Sequence, residues 1–204
     1  FTQAAGSVLT DFQDAVTTTG NFTFAGTDLR LRDAAHDVGG AMALTNAGTF
    51  TTDAAANVTV NGAFTQIGGG TNSLGGDITS TTAGIDFLDA VTLTDAVAMD
   101  SSGGGGDIVF QSTLTGTVAD AQTLALDSGA GDITFGDTVG ATSLGDVTIT
   151  DAATVNATGT FTAASFTQAA GSVLTDFQDA VTTTGNFTFA GTDLRLRDAA
   201  HDVG

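Results

Sequence analysis

Apolar residues recur along this chain at alternate positions in short runs, each opened by a glycine. The runs are GNFT at 20, GTFT at 48, GDIT at 76, GDIV at 106, GDIT at 131, GTFT at 159 and GNFT at 185. Period-two alternation of aromatic or β-branched residues, bounded by Gly, Asn and Asp, predicts short β-strands. Similar runs fill the intervals. TDLRLR (27–32), NVTVN (57–61) and IDFLD (85–89) predict a second strand, and AMALTNA (41–47), VTLTDA (91–96), TLALDS (123–128) and VTITDA (147–152) a third. No stretch carries a helical period, so the predicted class is all-β.

Alternate residues of a strand face the same side. Aligned on their glycines, the Gly-led strands place Phe22, Phe50, Ile78, Ile108, Ile133, Phe161 and Phe187 in one inward column. Phe24, Thr52, Ser80, Phe110, Phe135, Ala163 and Phe189 form a second. The residue between them, Thr23, Thr51, Thr79, Val109, Thr134 or Thr162, is expected to face outward. The two columns, with Phe22, Phe24, Phe110, Phe135 and Phe189 among them, are the expected structural core stack.

Residues 166–204 are identical to residues 1–39, an offset of 165. Packing constraints alone tolerate many hydrophobic substitutions, so identity over 39 positions points to tandem duplication. The expected organisation is one full unit, 1–165, followed by the start of the next identical unit, 166–204. The Gly-led marker divides the unit into coils starting near 20, 48, 76, 106, 131 and 159, at successive spacings of 28, 28, 30, 25, 28 and 26. These tile the unit without remainder, which predicts a parallel β-helix, a β-solenoid, of about six three-stranded coils. At about 4.8 Å per coil, six coils advance roughly 29 Å. Residues 165 and 166 fall inside the coil that begins at Gly159, with no linker, so the solenoid is expected to continue from unit to unit.

Composition narrows the function. The chain has 204 residues, 28 of them Gly, and 23 acids against 4 bases; the acids are all Asp and the bases all Arg. A formal charge of -19 repels phosphate backbones and anionic lipid, which argues against nucleic acid as a partner. No apolar run approaches the roughly 20 residues of a spanning helix, so membrane insertion is not expected. Cysteine is absent, so stability must come from packing and backbone pairing. The first residue is Phe1, consistent with a processed chain or a window of something longer.

The run GDIVFQSTLTGTVADAQTLALDSGAGDITFGDTVGATSLGDVTITDAATV (106–155) resembles the repeats of very large bacterial surface exoproteins, the filamentous-haemagglutinin-like and β-strand-repeat families. It covers about a quarter of the chain. The resemblance implies a right-handed parallel β-helix shaft, extracellular or on the cell surface, serving a fibre, an adhesin or surface architecture.

Candidate chemistry is sparse. Arg30 and Arg32 alternate with Leu29 and Leu31, so both point outward beside Asp28 and Asp33 as a surface ion-pair group, repeated at Arg195 and Arg197. His36 falls in the expected loop RDAAHDVGG. No catalytic or cofactor-binding residues emerge, and the chain reads as non-enzymatic. Calcium is the one cofactor that the Asp pattern raises. Asp77, Asp107, Asp132 and Asp146 stand at strand mouths, where stacked carboxylates need spreading, solvation or a hard cation. Asp is also a favoured turn residue in its own right. T-x-T triplets at 49, 79, 92, 113, 148 and 158 share no single coil position, which argues against a flat ice-binding face. The sequons at 21, 57, 156 and 186 are compatible with glycosylation.

Two functional classes follow. In the first, the unit is the structural repeat of a long extracellular filament or adhesin shaft, its partners being further copies of the same repeat, in the same chain or end to end, with lateral association of rods. In the second, it is a repetitive module for glycan- or calcium-dependent adhesion. The absence of Trp and Tyr, and the inward place of most Phe, favour the first.

Overall fold

The computed structural model describes residues 1–4, 8–171, 173–197 and 200–204. The chain is a parallel β-solenoid of about nine turns, with no helix among the described residues. Each coil contributes one strand to each of three faces, and the strands pair in parallel from coil to coil. The first face is a ten-stranded sheet beginning Thr2–Gln3, Phe22–Gly26, Met42–Asn46, Phe64–Ile67 and ending at Leu194–Leu196. The second face begins Leu9–Phe12, Asp28–Leu31, Thr49–Thr52; the third begins Thr17–Thr18, His36–Val38, Val58–Val60. The second and third faces form one continuous sheet, because the long strands Val139–Ile149 and Phe161–Gln168 run round the corner and pair on both. The register shifts between Val139 and Leu144, at the first of these corners. Gly140 has φ +76 there, and a Cβ at that position would run into the Thr162 carbonyl, so only glycine fits.

The strand pattern gives the core directly. Inward residues are almost wholly buried while their neighbours face solvent: in Met42–Asn46, for example, Met42, Leu44 and Asn46 are buried and Ala43 and Thr45 exposed. Phenylalanines run up the axis. Phe64, Phe87, Phe110 and Phe135 succeed one another at centroid spacings of 5.1, 5.9 and 5.6 Å, and the Phe87–Phe110 and Phe110–Phe135 pairs are parallel to within 5°. Each buried ring contributes about 1.5–3 kcal/mol, but only where a coil lies on either side of it.

The coil itself is shorter than the glycine marker predicts. Paired positions lie about 20 apart, from 19 at Leu9–Asp28 to 27 at Val97–Leu124, and do not follow the marker's period. The markers therefore fall on different faces. Phe22, Ile108 and Ile133 lie on the first, Phe50 and Phe161 on the second, and Ile78 and Phe187 on the third. Of the expected column only Ile108 and Ile133 are direct neighbours. The step from Gly106 to Gly131 is thus one whole coil, and every other marker step is a coil and one further face. The six-coil division is replaced by seven coils and two faces per unit. Burial does not depend on this correction: Phe22, Phe24, Phe50, Ile78, Ile108, Phe110, Ile133, Phe135 and Phe161 are all at most 1% exposed. Phe187 and Phe189 are half-buried, since they lie in the last turn.

Candidate functional site

The aspartates at strand mouths bind groups in the next coil. The Asp77 carboxylate accepts the Ala98 N–H at 2.8 Å, and Asp107 accepts that of Asp132 at 2.8 Å. Asp132 in turn accepts both the N–H and the hydroxyl of Thr154, at 3.0 and 2.6 Å. Asp146 accepts the Ser165 hydroxyl at 2.7 Å. Asp28 and the side-chain carbonyls of Asn21 and Asn57 do the same for the N–H groups of Thr49, Ala41 and Asp77. Two relays result, Asn57 to Asp77 to Ala98 and Asp107 to Asp132 to Thr154. Coil corners leave N–H groups outside the sheet ladders, and a side-chain oxygen one coil below satisfies them. The four carboxylates named as calcium candidates are thus distributed over separate inter-coil bonds. Among the described residues no three His, Cys, Asp or Glu side chains gather into a metal-holding group.

A second aspartate row is less comfortable. Asp100 and Asp127 are register partners on the third face, and the charge of Asp151 also reaches Asp127. Burial first, then the like charges of Asp100 and Asp151, raise the Asp127 carboxyl above its ordinary value, against the opposing hydrogen bond from the Gly129 N–H.

The arginines bridge coils too, but not to the predicted partners. Arg30 forks onto Asp53 at 2.8–3.1 Å, and Arg32 onto Asp11 at 2.7 and 2.8 Å, so the acids lie one coil above and one below, not at the flanking Asp28 and Asp33. In the second copy Arg197 repeats the Arg32 contact, with Asp176. The Arg32 hydrogen bond holds the Asp11 carboxyl below its ordinary value. Pairs 21 and 23 positions apart become visible in sequence only once the coil length is known.

His36 is a buried strand residue, 2% exposed, rather than a solvated loop residue. It occupies an inward position opposite Val58, and its Nδ1 accepts the Val16 N–H at 3.2 Å. Burial lowers its pKa. A polar group that the sequence gives no hint of lies at another corner: Gln66, Asn46 and Asn72 are buried and bonded to one another, with Gln66 also donating to Asp89.

Two grooves among the described residues are shallow. The grooves are open strips between outward side chains; one runs along Leu9, Asp28, Arg30, Thr49, Thr51 and Ser73, and another along Thr65, Asp86, Asp107 and Val109.

The ends of the solenoid are its most distinctive surfaces, and the duplicated sequence makes their meaning readable. Leu194, Leu196 and Val203 are 38%, 42% and 50% exposed, whereas the identical Leu29, Leu31 and Val38 are at most 1% exposed beneath residues 49–60. Phe1 is 43% exposed, whereas its copy Phe166 is fully buried above Val147. Each apolar end is a surface that the same sequence covers elsewhere in the same chain. No protein-family model matches the chain, and neither a curated protein nor a solved structure shows significant similarity to it.

Proposed function

We propose that the 165-residue unit is a structural shaft module of a long extracellular filament or adhesin stalk, its tandem copies running end to end as one unbroken β-solenoid. One observation carries this reading. The strand Phe161–Gln168 passes through the boundary between residues 165 and 166, and Phe166, first residue of the new copy, is buried against Val147 of the old one. Copies joined this way share a sheet and a core, so there is no hinge between them. The shallow outer surface, the -19 charge and the side chains committed to coil-to-coil bonds suit a well-solvated rod better than a binding cleft. The extracellular setting rests on the resemblance of residues 106–155 to bacterial surface repeats.

Chains of two, four and six units test it. Electron microscopy should show straight rods whose length grows by about 37 Å per unit, since seven and two-thirds coils rise about 4.8 Å each. Beads separated by flexible joints, with contour length independent of such a rise, would overturn the shaft reading.

A further inference from the structure

A residue and its copy 165 positions later occupy different faces. Leu9–Phe12 is on the second face and its copy Leu174–Phe177 on the first. Thr17–Thr18 is on the third and its copy, within Val181–Thr183, on the second. Phe22–Gly26 is on the first and Phe187–Phe189 on the third. Asp28–Leu31 is on the second and Leu194–Leu196 on the first. Every pair shows the same displacement. From a strand to its copy the chain traverses 23 faces, which is seven complete coils and two faces more.

The local structure is indifferent to the change of face. Phe1 and Phe12 meet at 5.4 Å and 81°, their copies Phe166 and Phe177 at 5.4 Å and 84°. Phe12 and Phe22 stand at 5.9 Å and 66°, Phe177 and Phe187 at 5.9 Å and 67°. His36 accepts the Val16 N–H at 3.2 Å, and His201 that of Val181 at 3.2 Å. Arg32 grips Asp11 as Arg197 grips Asp176. The Thr18 hydroxyl donates to the Gly20 carbonyl at 2.8 Å, and Thr183 to Gly185 at 2.9 Å. Each face offers a strand the same surroundings: one coil above, one below, a shared apolar axis within. One sequence can therefore fold identically on any of them.

We infer that successive units of the array are related by a screw that sets each one a face round from the last. This rests on the shaft reading above. The exposed Leu194, Leu196 and Val203 are then covered by the continuation of their own unit, the segment equivalent to residues 49–60, as Leu29, Leu31 and Val38 are here. A given residue moves from the first face to the third, then the second, and returns to the first after three units and 23 coils, about 110 Å. The Arg30 and Arg32 bridges, which hold the unit's only arginines, thus point in three directions in turn, about 37 Å apart along the axis. A neighbouring rod lying along one flank meets the same residues only at every third unit, while three neighbours around the rod meet equivalent surfaces at staggered heights. Lateral packing of identical rods is therefore three-directional, not sheet-like.

Two measurements test this. In the 204-residue chain, which has no cysteine of its own, Thr162→Cys with Thr182→Cys places two outward residues in register on the second face and should cross-link readily under mild oxidation. Thr148→Cys with Thr182→Cys pairs Thr182 with an outward third-face residue of the first copy, the flank where it would lie had the copy kept the face of Thr17, and should stay reduced. The reverse pattern would overturn the screw whether or not units stack. In a chain of four or more units, cryo-electron microscopy should show uninterrupted coils with equivalent residues turned by one face per unit, apart from the twist of the solenoid itself. An unbroken rod with equivalent residues on a single face would overturn the screw and leave the shaft; separate globules would overturn the shaft.

Discussion

Phe166 stacks on Phe187 at 4.9 Å, as Phe1 stacks on Phe22 at 4.5 Å, although the first pair lies on the third face and the second on the first. The two pairs differ in what lies beneath them. Phe166 has a coil beneath it and is fully buried; Phe1 has none and is 43% exposed.

Truncating the two should therefore have unequal costs for one sequence position. Phe166→Ala is expected to destabilise the surrounding coils by about 3–5 kcal/mol, the range for buried aromatic truncation, and Phe1→Ala by less than about 1 kcal/mol. Hydrogen exchange resolved by coil is the measurement, since a solenoid need not melt as one unit. Equal costs would mean that Phe166 is not covered as described.

Extending the chain beyond Gly204 with the sequence of residues 40–60 should bury Leu194, Leu196 and Val203 and bring the equivalent of Asp53 beside Arg195. Slower amide exchange across 194–203 in the extended chain is the expected result. Extension with a scrambled version of the same segment should leave exchange there unchanged.

Asp132→Ala removes the acceptor for two Thr154 donors and should cost about 0.5–1.5 kcal/mol per lost bond, whereas Asp132→Asn retains a side-chain oxygen and should cost less. Because these carboxylates act on neighbouring coils, chelator should leave the melting temperature of the parent chain unaltered. A large drop on chelation would instead assign the strand-mouth aspartates to calcium.

His36 gives an acid-side pH dependence. With its folded value depressed below the ordinary 6.5 by burial, the unfolded chain takes up a proton that the folded chain resists, so stability is full above 6.5 and falls as pH drops below it. His36→Val should flatten the slope of stability between about pH 6.5 and 5. Its neutral-pH stability shifts separately, because the Val16 N–H loses its acceptor.

Asp127 has the opposite sign. Its raised value means that stability is full below the ordinary 3.8 and is lost as pH rises through the folded value, so at pH 7 the penalty is in place. Asp127→Asn should raise stability at pH 7 by about 0.5 kcal/mol by removing a half-buried charge that also stands opposite Asp100, and should give no gain at pH 3. An equal gain at both values would show that charge is not the cause.

Alternation along a strand is a local property of the backbone, and for that reason the inward direction of Phe22, Leu29, Ile78, Ile108 and Phe135 was legible in the residues alone. So was the parallel solenoid, since identical copies with no linker between them must bury the same apolar stripe by stacking. Which strand lies on which was not. Gly-x-apolar-Thr opens a strand on any of three equivalent faces, so the marker spacing does not measure the coil, and six apparent coils are seven and two-thirds. The partners of Arg30, Arg32 and Asp132, and the burial of His36, emerged from the folded chain for the same reason: each depends on what lies one coil away, and that distance is set by turns of unequal length whose sum no local pattern records.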